Sequence, residues 1–351
     1  MEHSKRIFYF DELRALAIIG IVFCHASVSF VLSGVSKSDF YISAFFDCFR
    51  DFSIPIFVML SGALLIGKKD SFKDFFKKRL SRIFIPFIFW VVIYIIYSSI
   101  YITHGFDLSS SIDIFFGTSS TLGVAFWFIW MIIIAYFGIF IINKLMEYNS
   151  NVINILTVIS FIYILICQFS FFDPYSSKII YFVSFISYVV IGYFIASNDY
   201  LEQKISCKWL AIMTLVLFVV SYLVYIFYFV VPMSVSHNQF ITLSYFNLPI
   251  LFISLNVFLF FKFLSKTEFS LKNYKIKKAI TTISKYSFGI YLAHYVILYD
   301  LRMNIAKIID FTSQSPLIWI PLFVILIIMI SLIILFVLDR IPYLNKVTGN
   351  S

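Results

Sequence analysis

The sequence predicts an all-α protein, a polytopic membrane helix bundle of about ten transmembrane helices with N- and C-termini both cytoplasmic. Three observations lead there. Hydrophobic residues make up 61% and aromatics 21% of the 351 residues, with a mean hydropathy of +0.96, more than a soluble domain can keep off its surface. The apolar residues gather in stretches of about 20, the length that crosses a hydrocarbon core of roughly 30 Å. Lys and Arg alternate between crowded and sparse loops, as the positive-inside rule requires.

The apolar segments lie near 12–33, 45–66, 83–102, 125–143, 152–171, 179–197, 209–231, 244–264, 280–299 and 316–338. With the N-terminus inside, the inner loops collect Lys5 and Arg6, the basic run from Lys68 to Arg82, Lys144, Lys204, Lys208, the lysines between 262 and 278, Arg340 and Lys346. The outer loops hold only Lys37, Lys178, Arg302 and Lys307. An even number of spans follows, and the net charge of +9 speaks for the bilayer rather than for nucleic acid. The first segment is too long and too polar at its entry to be a removable signal peptide. Cys24, Cys48, Cys167 and Cys207 have no paired spacing, so neither disulfide framework nor metal site is expected. We expect one integral-membrane domain over residues 1–351, without an internal solenoid repeat or an appended soluble domain.

The first segment, FDELRALAIIGIVFCHA, carries ionisable side chains into apolar surroundings, where they cost free energy. Arg14 and His25 are eleven residues apart. That is nearly three helical turns, which places both on one face about 16 Å apart along the axis; Asp11 joins the stripe one turn before Arg14. With Arg14 near the inner boundary, His25 lies close to the midplane, where an ionisable residue normally faces the bundle interior or a wet cavity. Arg14 alone reads as an interfacial anchor. His25 reads as a functional group, able to take and return a proton or to act as a nucleophile. A proton carrier would fit these residues too.

Residues 68–85, KKDSFKDFFKKRLSRIFI, are the longest charged segment. Arg79 and Arg82 are three apart and share a helical face, with Lys78 beside them. Clustered guanidinium groups bind phosphate through charge-assisted, often bidentate hydrogen bonds, whereas Lys68, Lys69 and Lys73 suit topology and anionic lipid. His294 is a second ionisable group about midway through a span, readable as a packed histidine or as a second catalytic group. Arg50, between Asp47 and Asp51, reads as a local ion-pair partner, and His3, His104 and His237 receive no role. No phosphate-cradling Gly-rich loop or nucleophile elbow occurs.

Together these residues resemble the integral-membrane acyltransferase family three, whose members acylate sugars of cell-surface glycans. The likeness covers most of the chain. It rests on Asp11, Leu13, Arg14 and His25 in the first span; on IPIFVMLSG with Pro55, Ser61 and Gly62; on RLSRIFIP with Arg79, Arg82 and Pro86; on FWFIW around Trp127; and on SFGIYLAH ending at His294. A histidine that often precedes the Trp-Phe pair in relatives is missing, its place taken by Ala125 or Phe126. The chain is similar to the stand-alone type without a fused esterase-like domain.

The resemblance implies a membrane O-acyltransferase, chiefly an O-acetyltransferase, of a bacterial cell membrane. Its donor substrate would be acyl-CoA such as acetyl-CoA, with no permanently bound cofactor, and its acceptor a hydroxyl of a surface polysaccharide or lipid-linked glycan. Arg79, Arg82 and Lys78 would bind the donor phosphates. His25 would be the base or the acyl carrier, Arg14 would stabilise negative charge on the donor or the tetrahedral intermediate, and Asp11 would orient Arg14. The competing reading is a transporter of glycan or glycan precursor, with Arg14, His25 and His294 as midplane sites. A third is a structural bundle whose polar stripe only holds helices together.

Overall fold

The computed structural model describes residues 6–32, 37–118, 122–169, 177–232, 234, 244–305, 307–308 and 314–349. His3, Lys5 and His237 lie outside them. Among the described residues the chain is helical, without a strand. The helices are α1 (Phe8–Leu32), α2 (Lys37–Asp47), α3 (Phe49–Leu65), α4 (Phe72–Tyr101), α5 (Leu108–Phe116), α6 (Trp127–Tyr148), α7 (Val152–Ile166), α8 (Lys178–Ser184), α9 (Ile186–Ser197), α10 (Tyr200–Lys204), α11 (Cys207–Val224), α12 (Leu248–Leu264), α13 (Tyr274–Ile305) and α14 (Pro316–Arg340). Short 3-10 turns occur at Val124–Phe126 and Leu344–Thr348, and the chain continues from α11 as a π-helix over Tyr225–Val230.

Among the described residues, six stretches are long and apolar enough to cross a membrane: Ser38–Leu65, Phe72–Tyr101, Val124–Tyr148, Lys178–Lys204, Cys207–Val230 and Pro316–Arg340. α7 and α12 are apolar but shorter. Each apolar segment of the sequence is thus at least partly helical, with some changes of detail. The second breaks between α2 and α3, and the sixth between α8 and α9. α13 runs further in both directions than its apolar segment, because Lys275, Lys277 and Lys278 at one end and Arg302 at the other extend the helix without adding hydropathy.

Local sequence sets several helix ends. Ser71 caps α4 by accepting from the Asp74 N–H at 3.2 Å while its own hydroxyl donates to the Asp74 carboxylate at 2.7 Å, satisfying orphan donors of the first turn. Asp107 caps α5 through the N–H groups of Ser109 and Ser110. Gly117 ends α5 at φ +70°, a conformation that favours glycine.

The chain divides into two compact units. The first comprises Met1–Ile21, Cys48–Lys68 and Ile141–Lys285, and the second Val22–Asp47, Lys69–Phe140 and Tyr286–Ser351. In the first unit α3 packs on α9, α7 on α9, and α11 on α12. The α3–α9 contact is as close as two backbones can come. A Cβ on Gly62 would lie 1.9 Å from the Val189 carbonyl oxygen, and one on Gly192 2.2 Å from that of Met59. Small residues drive helix association where hydrophobicity cannot, because lipid is as apolar as a side chain. Gly62 of the LSG motif is therefore a packing residue. Asn143 closes the end of α3, donating to the Leu65 carbonyl at 3.0 Å and accepting from the Gly67 N–H at 2.7 Å.

In the first unit the buried Lys262 donates to the carbonyls of Ile195 and Asn198 and pairs with Asp199 and Glu202, at 3.0 and 3.2 Å. Lysine is almost never this buried unless so paired. In the second unit α2 packs on α14, α5 on α4, and the turn Leu344–Thr348 on both α4 and α14.

Gly62→Val or Gly192→Val should destabilise the first unit by more than about 3 kcal/mol, above the usual overpacking cost because backbone must move. In detergent extracts each variant should lose its monodisperse size-exclusion peak. Gly105→Ala, with open space around that position, should keep it.

Candidate active site

The second unit holds the ionisable groups that face one another. α13 presents Tyr291, His294, Tyr295 and Arg302 at offsets of three, four and eleven residues, a single helical stripe. His25, from α1, meets that stripe. Its ring centroid lies 5.2 Å from that of His294 and 5.0 Å from that of Tyr295, the latter edge-on. His25 and His294 were separate candidates in the sequence, and the fold makes them neighbours.

His294 is fully buried, and its tautomer follows from its partner. Nδ1 lies 2.5 Å from the Tyr291 carbonyl oxygen. A carbonyl can only accept, so Nδ1 carries the proton and the neutral ring keeps its lone pair on Nε2. Nε2 is buried and has no hydrogen-bond partner among the described residues. It is a proton acceptor in waiting.

The backbone around this ring is itself re-tied by side chains. The Tyr94 hydroxyl, on α4, donates to the Leu292 carbonyl at 2.9 Å and accepts from the Val296 N–H at 3.1 Å. These are groups four residues apart, the spacing that an α-helix joins, so the hydroxyl braces the turn of α13 that carries His294. The Tyr291 hydroxyl donates to the Ala125 carbonyl. Tyr286 donates to Asp339 at 2.7 Å and Tyr97 to Asp300 at 3.1 Å, tying α13 to α14 and α4.

On the other side of His25, Asp47 of α2 accepts from Ser27 at 3.3 Å and from the Cys24 thiol at 3.6 Å. Arg302 donates to the His25 carbonyl, and to that of Ala26 at 3.2 Å. Its Nε is shielded from solvent without a partner, and no carboxylate pairs with it among the described residues.

Arg14 and Asp11 lie in the first unit. Asp11 is buried, bound bidentately by Arg6 at 2.6 and 2.9 Å, hydrogen-bonded by Ser284 at 2.6 Å, and only 3.7 Å from Arg14. Asp11 thus serves two arginines. Its hydrogen bond raises the Arg6 guanidinium above the ordinary value, against a smaller opposing effect of burial. α1 is an uninterrupted helix, so the three-turn spacing of Arg14 and His25 holds along it.

Of the basic cluster, Lys78 and Arg79 converge on Asp70, at 3.7 and 3.3 Å, and Arg79 also lies over the Phe75 ring, 4.4 Å from its centroid. Of the two arginines, Arg79 is held by Asp70 and Arg82 is exposed. Arg50 pairs with Asp51 at 3.3 Å, as expected of a local ion pair.

The profile of acyltransferase family 3, described as an acyltransferase domain, matches residues 7–336. The chain belongs to acyltransferase family 3. No curated protein and no solved structure matches it. Membership makes a membrane-embedded acyltransferase of the chain. Sequence reading gives no partner role to Arg6 and Ser284 in the first unit, or to Asp70, Tyr94 and Arg302 in the second. Arg6 and Arg302 left a trace there only as basic residues of the loops.

Tyr94→Phe should lower stability by about 1–3 kcal/mol, because it leaves a buried carbonyl and N–H without the bridging hydroxyl. The melting temperature in detergent reads this out, and activity should fall further than stability explains because the turn that carries His294 loses its brace.

Proposed function

We propose that the protein is a membrane O-acyltransferase, acting on a cell-surface polysaccharide or lipid-linked glycan precursor with cytoplasmic acyl-CoA, most simply acetyl-CoA, as donor. The observation that carries this reading is the imidazole pair of His25 and the fully buried His294, the latter with an unengaged Nε2 among the described residues, in a chain of acyltransferase family 3. In this reading residues 1–351 form one catalytic domain of a bacterial cell membrane. Ten helical segments cross it, α1, α13 and the two shorter apolar helices included, with both termini cytoplasmic as the basic loops favour. No permanently bound cofactor takes part.

Arg79, Arg82 and Lys78 bind the donor phosphates from the inner side, displacing Asp70 from Arg79 and Lys78. Arg14, oriented by Asp11, meets negative charge on the donor. His25 removes the proton from the acceptor hydroxyl, or takes the acyl group before the acceptor does, and His294 passes the proton on.

Membranes containing the protein, incubated with radiolabelled acetyl-CoA, should place label on glycan or glycolipid. His25→Ala should lower this transfer by about 10²–10⁴-fold with insertion intact; undiminished transfer would remove His25 from the mechanism. Glycan export without labelling would favour the transporter instead. Arg79→Ala should raise the KM for the donor and Asp70→Asn should lower it, since one removes a phosphate ligand and the other its competitor. KM values unchanged in both would place the donor elsewhere.

A further inference from the structure

A tetrahedral intermediate at His25 needs a positive charge beside it, and α1 does not supply one. Arg14 is three turns away, about 16 Å along the axis. Side chains on a helix lean toward its N-terminus, so Arg14 reaches away from His25, toward Asp11.

Arg302, unlike Arg14, is tied to α1 at the level of His25. Its Nη2 donates to the main-chain carbonyls of His25 and Ala26, so the guanidinium is held against the backbone that bears the imidazole. Tyr295, one heptad earlier on α13 and hence on the same face, lies edge-on to the His25 ring. A guanidinium carries five N–H donors and cannot lose its charge. Here two carbonyls engage Nη2, Nε stays shielded and unpartnered, and among the described residues no carboxylate neutralises the group. A cation held in an apolar bundle by carbonyl dipoles alone attracts an anion strongly, because low dielectric magnifies the interaction.

We propose that Arg302 is the oxyanion-stabilising catalytic residue of the histidine site, an inference that rests on the acyl-transfer reading above. The acceptor oxygen forms a bond to the thioester carbonyl carbon as its proton passes to His25. The carbonyl π pair moves onto oxygen, and that oxyanion lies against the Arg302 guanidinium. On collapse the pair re-forms the C=O bond, the C–S bond breaks, and the departing thiolate takes the proton from the imidazolium. Arg302 gains most in the intermediate, so it acts on kcat rather than on donor binding.

Two substitutions in the full-length, membrane-embedded protein separate charge from hydrogen bonding. Arg302→Gln can still donate to the His25 and Ala26 carbonyls but is neutral. Arg302→Lys keeps the charge. With acetyl-CoA as donor, Arg302→Gln should lower kcat by about 10²–10³-fold with donor KM unchanged, while Arg302→Lys should retain more than a tenth of wild-type kcat. Equal loss in both variants, loss in neither, or failure of the Gln variant to insert would make Arg302 a structural tie and overturn the proposal. Absence of transfer by the wild type would instead strike the acyl-transfer reading itself.

Discussion

The site depends on one constraint: a polar group inside a lipid-facing bundle has no water to fall back on, so it must find a partner in the protein. Here the partner is repeatedly a main-chain carbonyl. His294 donates to Tyr291, Tyr291 to Ala125, Tyr94 to Leu292, and Arg302 to His25 and Ala26. Carbonyls already bonded within a helix keep a second lone pair, so these ties form without dissolving the helices that supply them. Rotamer, tautomer and ring placement are set together. What remains unengaged, Nε2 of His294 and Nε of Arg302, is what chemistry can use.

The two units meet the same constraint differently. In the first, charge is answered by charge. Asp11 gathers Arg6 and Arg14, and Lys262 and Lys266 share Asp199 and Glu202. Burial alone would pull the Lys266 ammonium down, but these two carboxylates outweigh it and raise it above its usual range. Such ion-paired clusters hold helix ends, with Glu202 Oε2 the buried carboxylate oxygen among them that has no hydrogen-bond partner among the described residues. In the second unit the groups around His25 are answered by dipoles, which leave net charge uncompensated and available.

Much of this was legible in the sequence because membrane helices announce themselves by length and hydropathy. The fold class and the candidate residues His25, Arg14, Asp11 and His294 followed from periodicity, from the cost of charge in apolar surroundings, and from the family likeness. The breaks at Cys48 and Phe185 left no signal, since no proline or glycine stands at either position. The meeting of His25 with His294 was equally hidden, because a separation of 269 residues carries no pairing information in one sequence. Asp70 and Tyr94 were invisible for a simpler reason. A tyrosine in a chain with 23 of them, or an aspartate in a basic loop, looks like background until its hydroxyl or carboxylate is seen against a particular partner.

The turn at Leu344–Thr348 has a practical side. Thr348 is fully buried, and a Cβ on Gly289 would lie 2.5 Å from its carbonyl oxygen, so these last residues are wedged against the helix that bears His294. A purification handle fused directly behind residue 351 would pull on that wedge, and through it on the helix that carries His294. Handles for this protein belong at the amino end, or behind a long flexible spacer.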